Sequence, residues 1–238
     1  MGPIRWYLKG LFPLKFTSVM FGVFLFLEWL TLYYNSVEEG LQEFVYLSFM
    51  LVNPFILLSA FLHVFRSKET TLFELSLLSS WRSIAVARIF SSLVYVLSFW
   101  ALQSVLLFAV LHEMAVWLIL TSLNSLINYV GLGLVVSLTS NRTSSIVLGS
   151  LVFFLFPFSS VVLLQNYLQY YIKYHISLSG PLAYLVYFLN PEATYVSRLL
   201  YPKLVDLQLS QGFAVSIVVS IVLIALYYFA FVRLQFKP

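Results

Sequence analysis

Six runs of about twenty apolar, mostly uncharged residues, parted by short polar connections, set the limits on how this chain can fold. A helix of about 20 residues crosses the hydrocarbon core of a bilayer, and lipid demands that every backbone polar group be satisfied within the segment. The 238-residue chain is 61% hydrophobic and only 9% charged, with mean hydropathy +0.95. A soluble domain carries about a quarter charged residues. The expected fold is therefore all-α and integral to the membrane, a single transmembrane domain over 1–238 with six transmembrane helices. Spans are expected at about 16–34, 44–65, 83–111, 115–138, 145–164 and 212–232. No cysteine is present, which removes disulfides, thiol nucleophiles and thiolate metal sites. The net charge of +4 is small and follows from sidedness, so no nucleic-acid surface is expected.

Met1 to Lys15 is basic and aromatic and is expected to form an interfacial helix. No small-residue cleavage site follows a short apolar core, so the first apolar run is expected to remain as a span. Asn53–Pro54 interrupts the second run, and a kink is expected near Val52–Asn53 because proline removes one helical hydrogen bond. Residues 165–210 are half-apolar and rich in tyrosine, which favours headgroup depth. Pro181 to Leu189 is too short to span and is stopped by Asn190–Pro191. This region is expected to form one or two re-entrant helices in the outer leaflet.

Charge gives the topology. With the N-terminus inside, inner segments hold Arg5, Lys9, Lys15, Arg66, Lys68, Arg82, Arg88, Arg142, Arg233 and Lys237, whereas outer segments hold only Lys173, Arg198 and Lys203. This excess places both termini in the cytoplasm of a multi-pass protein of the cell membrane, in contact with lipid.

The densest charged stretch runs from Arg66 to Arg88 between two spans. Thr71 and Glu74 have capping-box spacing before a leucine-rich run, so a helix is expected to start at Thr71. Leu72, Leu75 and Leu78 recur every three residues, with Trp81 next, while Glu74, Ser76, Ser79 and Ser80 supply polarity. Such a helix either lies on the membrane surface or docks on a soluble partner.

Glu69, Thr70, Thr71, Leu72, Glu74, Leu75, Leu77, Leu78, Arg82 and Arg88 resemble the first cytoplasmic loop of membrane subunits of type-2 ABC transporters. Ser79–Ser80–Trp81 stands where such loops usually carry a proline. The six spans, the N-terminal interfacial helix, the short second inner loop with Asn141–Arg142–Thr143 and the re-entrant segment before the last span extend the resemblance over nearly the whole chain. It implies an exporter permease. It also implies a coupling helix that contains Glu69, Thr71, Leu72, Glu74, Leu75, Leu78, Trp81 and Arg82. Two copies of a separate ATPase subunit would carry ATP and Mg, and a second copy of this chain or a related permease would complete the pathway. The chain has no GxxxxGK[ST] phosphate loop, so any ATPase belongs to another polypeptide, and the chain itself is expected to bind no cofactor and to be no enzyme.

Within the spans, Glu28 is a costly intramembrane carboxylate: it either faces a pathway or gate, or is hydrogen-bonded or snorkels to the headgroups. Thr121, Asn124, Ser125 and Asn128 share one face of the fourth span and either line a pathway or join helices. His63, His112 and His175 have no metal-ligand spacing and are expected to be structural. Gly131 and Gly133 signal packing, lacking a preceding strand and a third glycine. Glu38, Glu39 and Glu43 lie in an outer loop without an Arg or His partner, and no HExxH or GxSxG is present, which argues against a protease. Two other functions fit the same residues. One is an ABC-type mechanotransmitter or assembly factor that acts on an outer-side partner at 165–210. The other is a non-ABC scaffold or carrier, for which paired broken helices would be expected.

Overall fold

A computed structural model of the chain describes residues 14–62, 64–65, 68–78, 80–112, 115–139 and 142–234. The expected interfacial helix, His63 and Arg66 lie outside these residues, apart from the last two positions of the interfacial segment, which open the first helix. The described residues form helices α1 (Leu14–Tyr34), α2 (Val37–Leu47), a π-helical segment (Ser48–Val52), α3 (Asn53–Phe61), α4 (Lys68–Leu78), α5 (Trp81–Leu111), α6 (Ala115–Val136), α7 (Arg142–Tyr174), α8 (Gly180–Leu189), α9 (Pro191–Leu200) and α10 (Leu209–Leu234). Among them no strand occurs, and Leu178 and Val205 form an isolated parallel bridge. Six helical units are long and apolar enough to cross a membrane: α1, the continuous α2–π–α3 unit, α5, α6, α7 and α10. The chain is a multi-pass membrane protein.

Helix ends depart from the apolar runs in an orderly way. The second unit begins at Val37, inside the acidic loop, because Ser36 caps it and Glu38 and Glu39 occupy its first turn, where the helix dipole favours negative charge. The fifth unit continues to Tyr174 and the last begins at Leu209. Before Pro54 the backbone runs through the π-helical segment, where the Asn53 N–H bonds to the Ser48 carbonyl five residues back. The region after α7 forms two short helices, α8 and α9, parted at Asn190–Pro191, with the Asn190 Oδ1 accepting from the Ala193 N–H at 3.0 Å. They are wedged among α2, α6, α7 and α10.

Two apolar clusters fill the interior. One, at the α4 end, includes Phe24, Ile56, Phe61, Phe65, Trp81, Phe99, Leu126 and Phe231. The other, at the opposite end, includes Leu32, Phe44, Phe49, Leu107, Leu118 and Tyr187. A polar layer separates them. Glu28 sits between Phe24 and Leu32, Gln103 between Phe99 and Leu107, and Ser122 between Leu118 and Leu126, each four residues from its neighbours and so on the same inward face. Gly131 and Gly133 are packing positions, as expected: a Cβ on Gly133 would stand 2.8 Å from the Phe61 ring, and one on Gly131 3.2 Å from Leu223 of α10.

Candidate functional site

Among the described residues, polar side chains gather away from water in several places. The first ties α4 to the bundle. Thr71, Glu74, Leu75 and Leu78 follow the i, i+3, i+4, i+7 pattern of one helix face. Thr71 and Glu74 are buried, and Leu75 and Leu78 pack against the core cluster at that end. Arg88 of α5, two turns into its helix, donates from Nη2 to Glu74 Oε2 at 2.9 Å and to Thr71 Oγ1 at 3.1 Å. Its guanidinium lies 5.0 Å from the centre of the Phe231 ring of α10, and Phe231 in turn meets Trp81 edge-on. A buried arginine is satisfied here by a carboxylate, a hydroxyl and an aromatic face, and one clamp holds α4, α5 and α10 together.

This geometry corrects the local reading of the loop. The helix starts at Lys68, so Thr71 and Glu74 lie within it and not at its cap. Glu74 was expected on the polar face, yet it points into the protein. Leu72 and Phe73 point out, 49% and 59% exposed. Of the other residues implied by the resemblance, Trp81 is buried at the start of α5 and Arg82 is exposed, while the Glu69 side chain lies outside the described residues.

The second place is the polar layer. Glu28 is fully buried and turned inward, away from the headgroups. Its Oε1 accepts from Gln103 Nε2 at 2.7 Å and from Ser48 Oγ at 3.4 Å. Gln103 Oε1 accepts from Ser122 Oγ at 2.6 Å. Asn53, at the end of the π-helical segment, donates from Nδ2 to Glu192 Oε1 at 3.3 Å. Glu192 is the first-turn acid of α9 and is fully buried, and this burial pushes its carboxyl up to about 7.

Thr121, Asn124 and Asn128 are buried on one face of α6, as the spacing expects. Ser216 of α10 donates to Asn124 Oδ1 at 3.0 Å and to Asn128 Oδ1 at 2.9 Å, and Ser220 donates to the same Asn128 oxygen at 2.7 Å. Asn128 Nδ2 donates to the Phe188 carbonyl at 2.7 Å, and the Tyr129 hydroxyl to the Leu189 carbonyl at 2.5 Å. These bonds satisfy exposed carbonyls at the C-terminal end of α8 and join α6 to α10, the helix-joining arrangement. The Thr121 hydroxyl bonds back to its own helix at Trp117 and Leu118.

No family model, curated protein or solved structure matches the chain.

Glu192, Gln103, Ser48, Ser122, Ser216 and Ser220 are polar residues of these networks that the sequence pattern left unmarked. Glu192 reads locally as an ordinary N-terminal helix acid after Asn190–Pro191. Gln103 carried a usable signal: a lone amide four residues from Phe99 and from Leu107 on a single face.

Proposed function

We propose that this chain is the membrane-spanning subunit of an ATP-driven transporter of the type-2 ABC class, working as an exporter with separate ATPase subunits. The observation that carries this reading is the α4 clamp. A helix between two spans, held rigidly by Arg88 to Glu74 and Thr71, turns two large apolar side chains, Leu72 and Phe73, away from the bundle. A helix that only floated at the interface would gain nothing from a buried ion pair. A lever that transmits force needs one, because coupling travels through rigid elements. The inner position of α4 follows from the charge asymmetry. In this reading an ATPase receives Leu72 and Phe73, and ATP-driven closure moves α4, with α5 carrying the displacement across the membrane. The pathway forms with a second copy of the chain or a related permease.

The experiment is purification of the tagged chain from its host in mild detergent, with mass spectrometry of what accompanies it. The expected result is a stoichiometric P-loop ATPase that is lost from Leu72→Asp and Phe73→Asp proteins while the chain stays folded. A folded chain with no ATPase, or an ATPase retained by both variants, would refute the reading. Leu75→Asp and Leu78→Asp are poorer probes, because those side chains pack on the chain's own core.

One observation favours a second reading. The end of α7 and the turn after it expose Tyr170, Ile172, Tyr174 and Ile176 on the side opposite α4. In this reading the same ATPase-driven subunit delivers work to an outer-side partner seated there. Partner binding without substrate flux in proteoliposomes would select it over export.

A further inference from the structure

Three buried acceptors of the polar layer stand open. Glu28 Oε2, Glu192 Oε2 and Asn53 Oδ1 are all buried without a hydrogen-bond partner. Several donors here are committed, whereas Asn190 Nδ2, two residues before Glu192, and Arg198 Nη1 on the same helix are buried without a hydrogen-bond partner. Gln103 and Ser48 serve Glu28 Oε1, and Asn53 Nδ2 serves Glu192 Oε1. Ser122 lies within reach of both Gln103 and Glu192, but its single hydroxyl proton serves one acceptor at a time. Gln103 and Ser122 stand between the two carboxyl groups, and among the described residues no ion pair to either is found. Two ionised carboxylates without a counter-charge in a low-dielectric interior are strongly unfavourable, and groups so placed neutralise. What is missing is a positive charge that brings a donor and needs little room.

We propose that the Glu28–Glu192 cluster is a proton-binding site inside the membrane domain, with one exchangeable proton carried by one or the other of the two carboxyl groups. A pair of like-charged carboxyls that share a site keeps one of them protonated. The groups that face the pair are Gln103 from α5, Ser122 and the titratable Tyr129 from α6, and Ser48 and Asn53 from the second unit. Arg198 stands about 9 Å further along the axis of α9. Both carboxyl-bearing stretches meet irregular backbone, Glu28 at the π-helical segment through Ser48 and Glu192 at the Asn190–Pro191 junction between α8 and α9. A π-helical turn within an α-helix is often found at functional sites. A groove of about 220 Å³ lies beside α9, lined in part by Gln42, Tyr46, Phe49 and Ala193. The site stands apart from the ATPase reading and survives its failure.

Infrared difference spectroscopy of the purified chain in lipid nanodiscs tests it, with glutamate carboxyls labelled with ¹³C and pH stepped from acid to alkaline in H₂O and D₂O. The expected result in the wild-type protein is a protonated-carboxyl band at neutral pH that carries the label shift, moves in D₂O and is lost on alkalinisation. That band should be lost or displaced in Glu28→Gln and in Glu192→Gln. The wild-type spectrum alone decides the matter if either variant fails to assemble: no protonated glutamate band at neutral pH overturns the proposal. So does a band left unchanged in both variants, and so does proton release provoked by Na⁺ at constant pH, which would make the ligand a metal cation.

Discussion

Replacing Arg88 by Met removes the charge at the centre of the α4 clamp while keeping an apolar stem of similar reach. Glu74, with no exposed side-chain surface, would then lose the guanidinium that pairs with it, and Thr71 would lose the guanidinium that bonds its hydroxyl. Removing one partner of a buried ion pair costs about 3–5 kcal/mol, most of it the stranded charge. At about 1.4 kcal/mol per tenfold, the docked state of α4 should weaken by a factor on the order of a hundred or more. The loss should be local, because α4 meets the bundle mainly at α5 whereas the spans pack on one another. Hydrogen exchange read by mass spectrometry on peptides from 68–78 is the assay, with peptides from α6 and α10 as the internal reference. Exchange over 68–78 should rise by that factor and stay near wild type at the core of α6. Glu74→Leu combined with Arg88→Met should recover most of the protection, because an apolar pair leaves no stranded charge. Unchanged exchange over 68–78 in Arg88→Met, or no recovery in the double variant, would refute the clamp as the element that holds α4.

Other consequences follow from the packing and the charges. Gly133→Ala would bring a Cβ to 2.8 Å from the Phe61 ring, which is pinned between Phe65 and Phe153, so thermal stability in detergent should fall by about 1–3 kcal/mol, and restoration to wild type by Phe61→Leu would identify the clash. The Glu192 carboxyl is raised by burial from 4.5 to about 7, so the folded state holds a proton that the unfolded chain has released; stability should be greatest at acid pH and fall as pH rises through about 7, and Glu192→Gln should flatten that slope in a melting series. Asn128→Leu removes the acceptor of the buried Ser220 hydroxyl and the donor to the Phe188 carbonyl, leaves Ser216 with Asn124 alone, and should lower the melting temperature more than Thr121→Val, whose hydroxyl bonds only to its own helix.

The sequence made the spans legible because lipid tolerates so few alternatives: an apolar run of bilayer length is a helix. It made the helix at 68–78 legible from its charge and leucine content. It misled on the rotation of α4. Thr71 and Glu74 have the spacing of a capping box, and nothing local says that an arginine fourteen residues after Glu74 will take both side chains inward. The sign available was Arg88 itself, a cation well inside a span and in need of a partner. Glu192 escaped for the opposite reason. Its neighbours Asn190, Pro191 and Thr194 read as an ordinary helix start, and its burial is created by α2, α6 and α8 closing around α9, which no short window of sequence records.

The central claim is that α4 is the contact with an ATPase. A photo-crosslinking amino acid placed at position 73 in membranes of the native host, with position 172 at the other end of the molecule as the control, tests it most directly. The account predicts a position-73 adduct with a P-loop ATPase that changes in yield with ATP, and no such adduct from position 172. Adducts at position 73 with lipid alone would contradict it and leave α4 as a surface anchor.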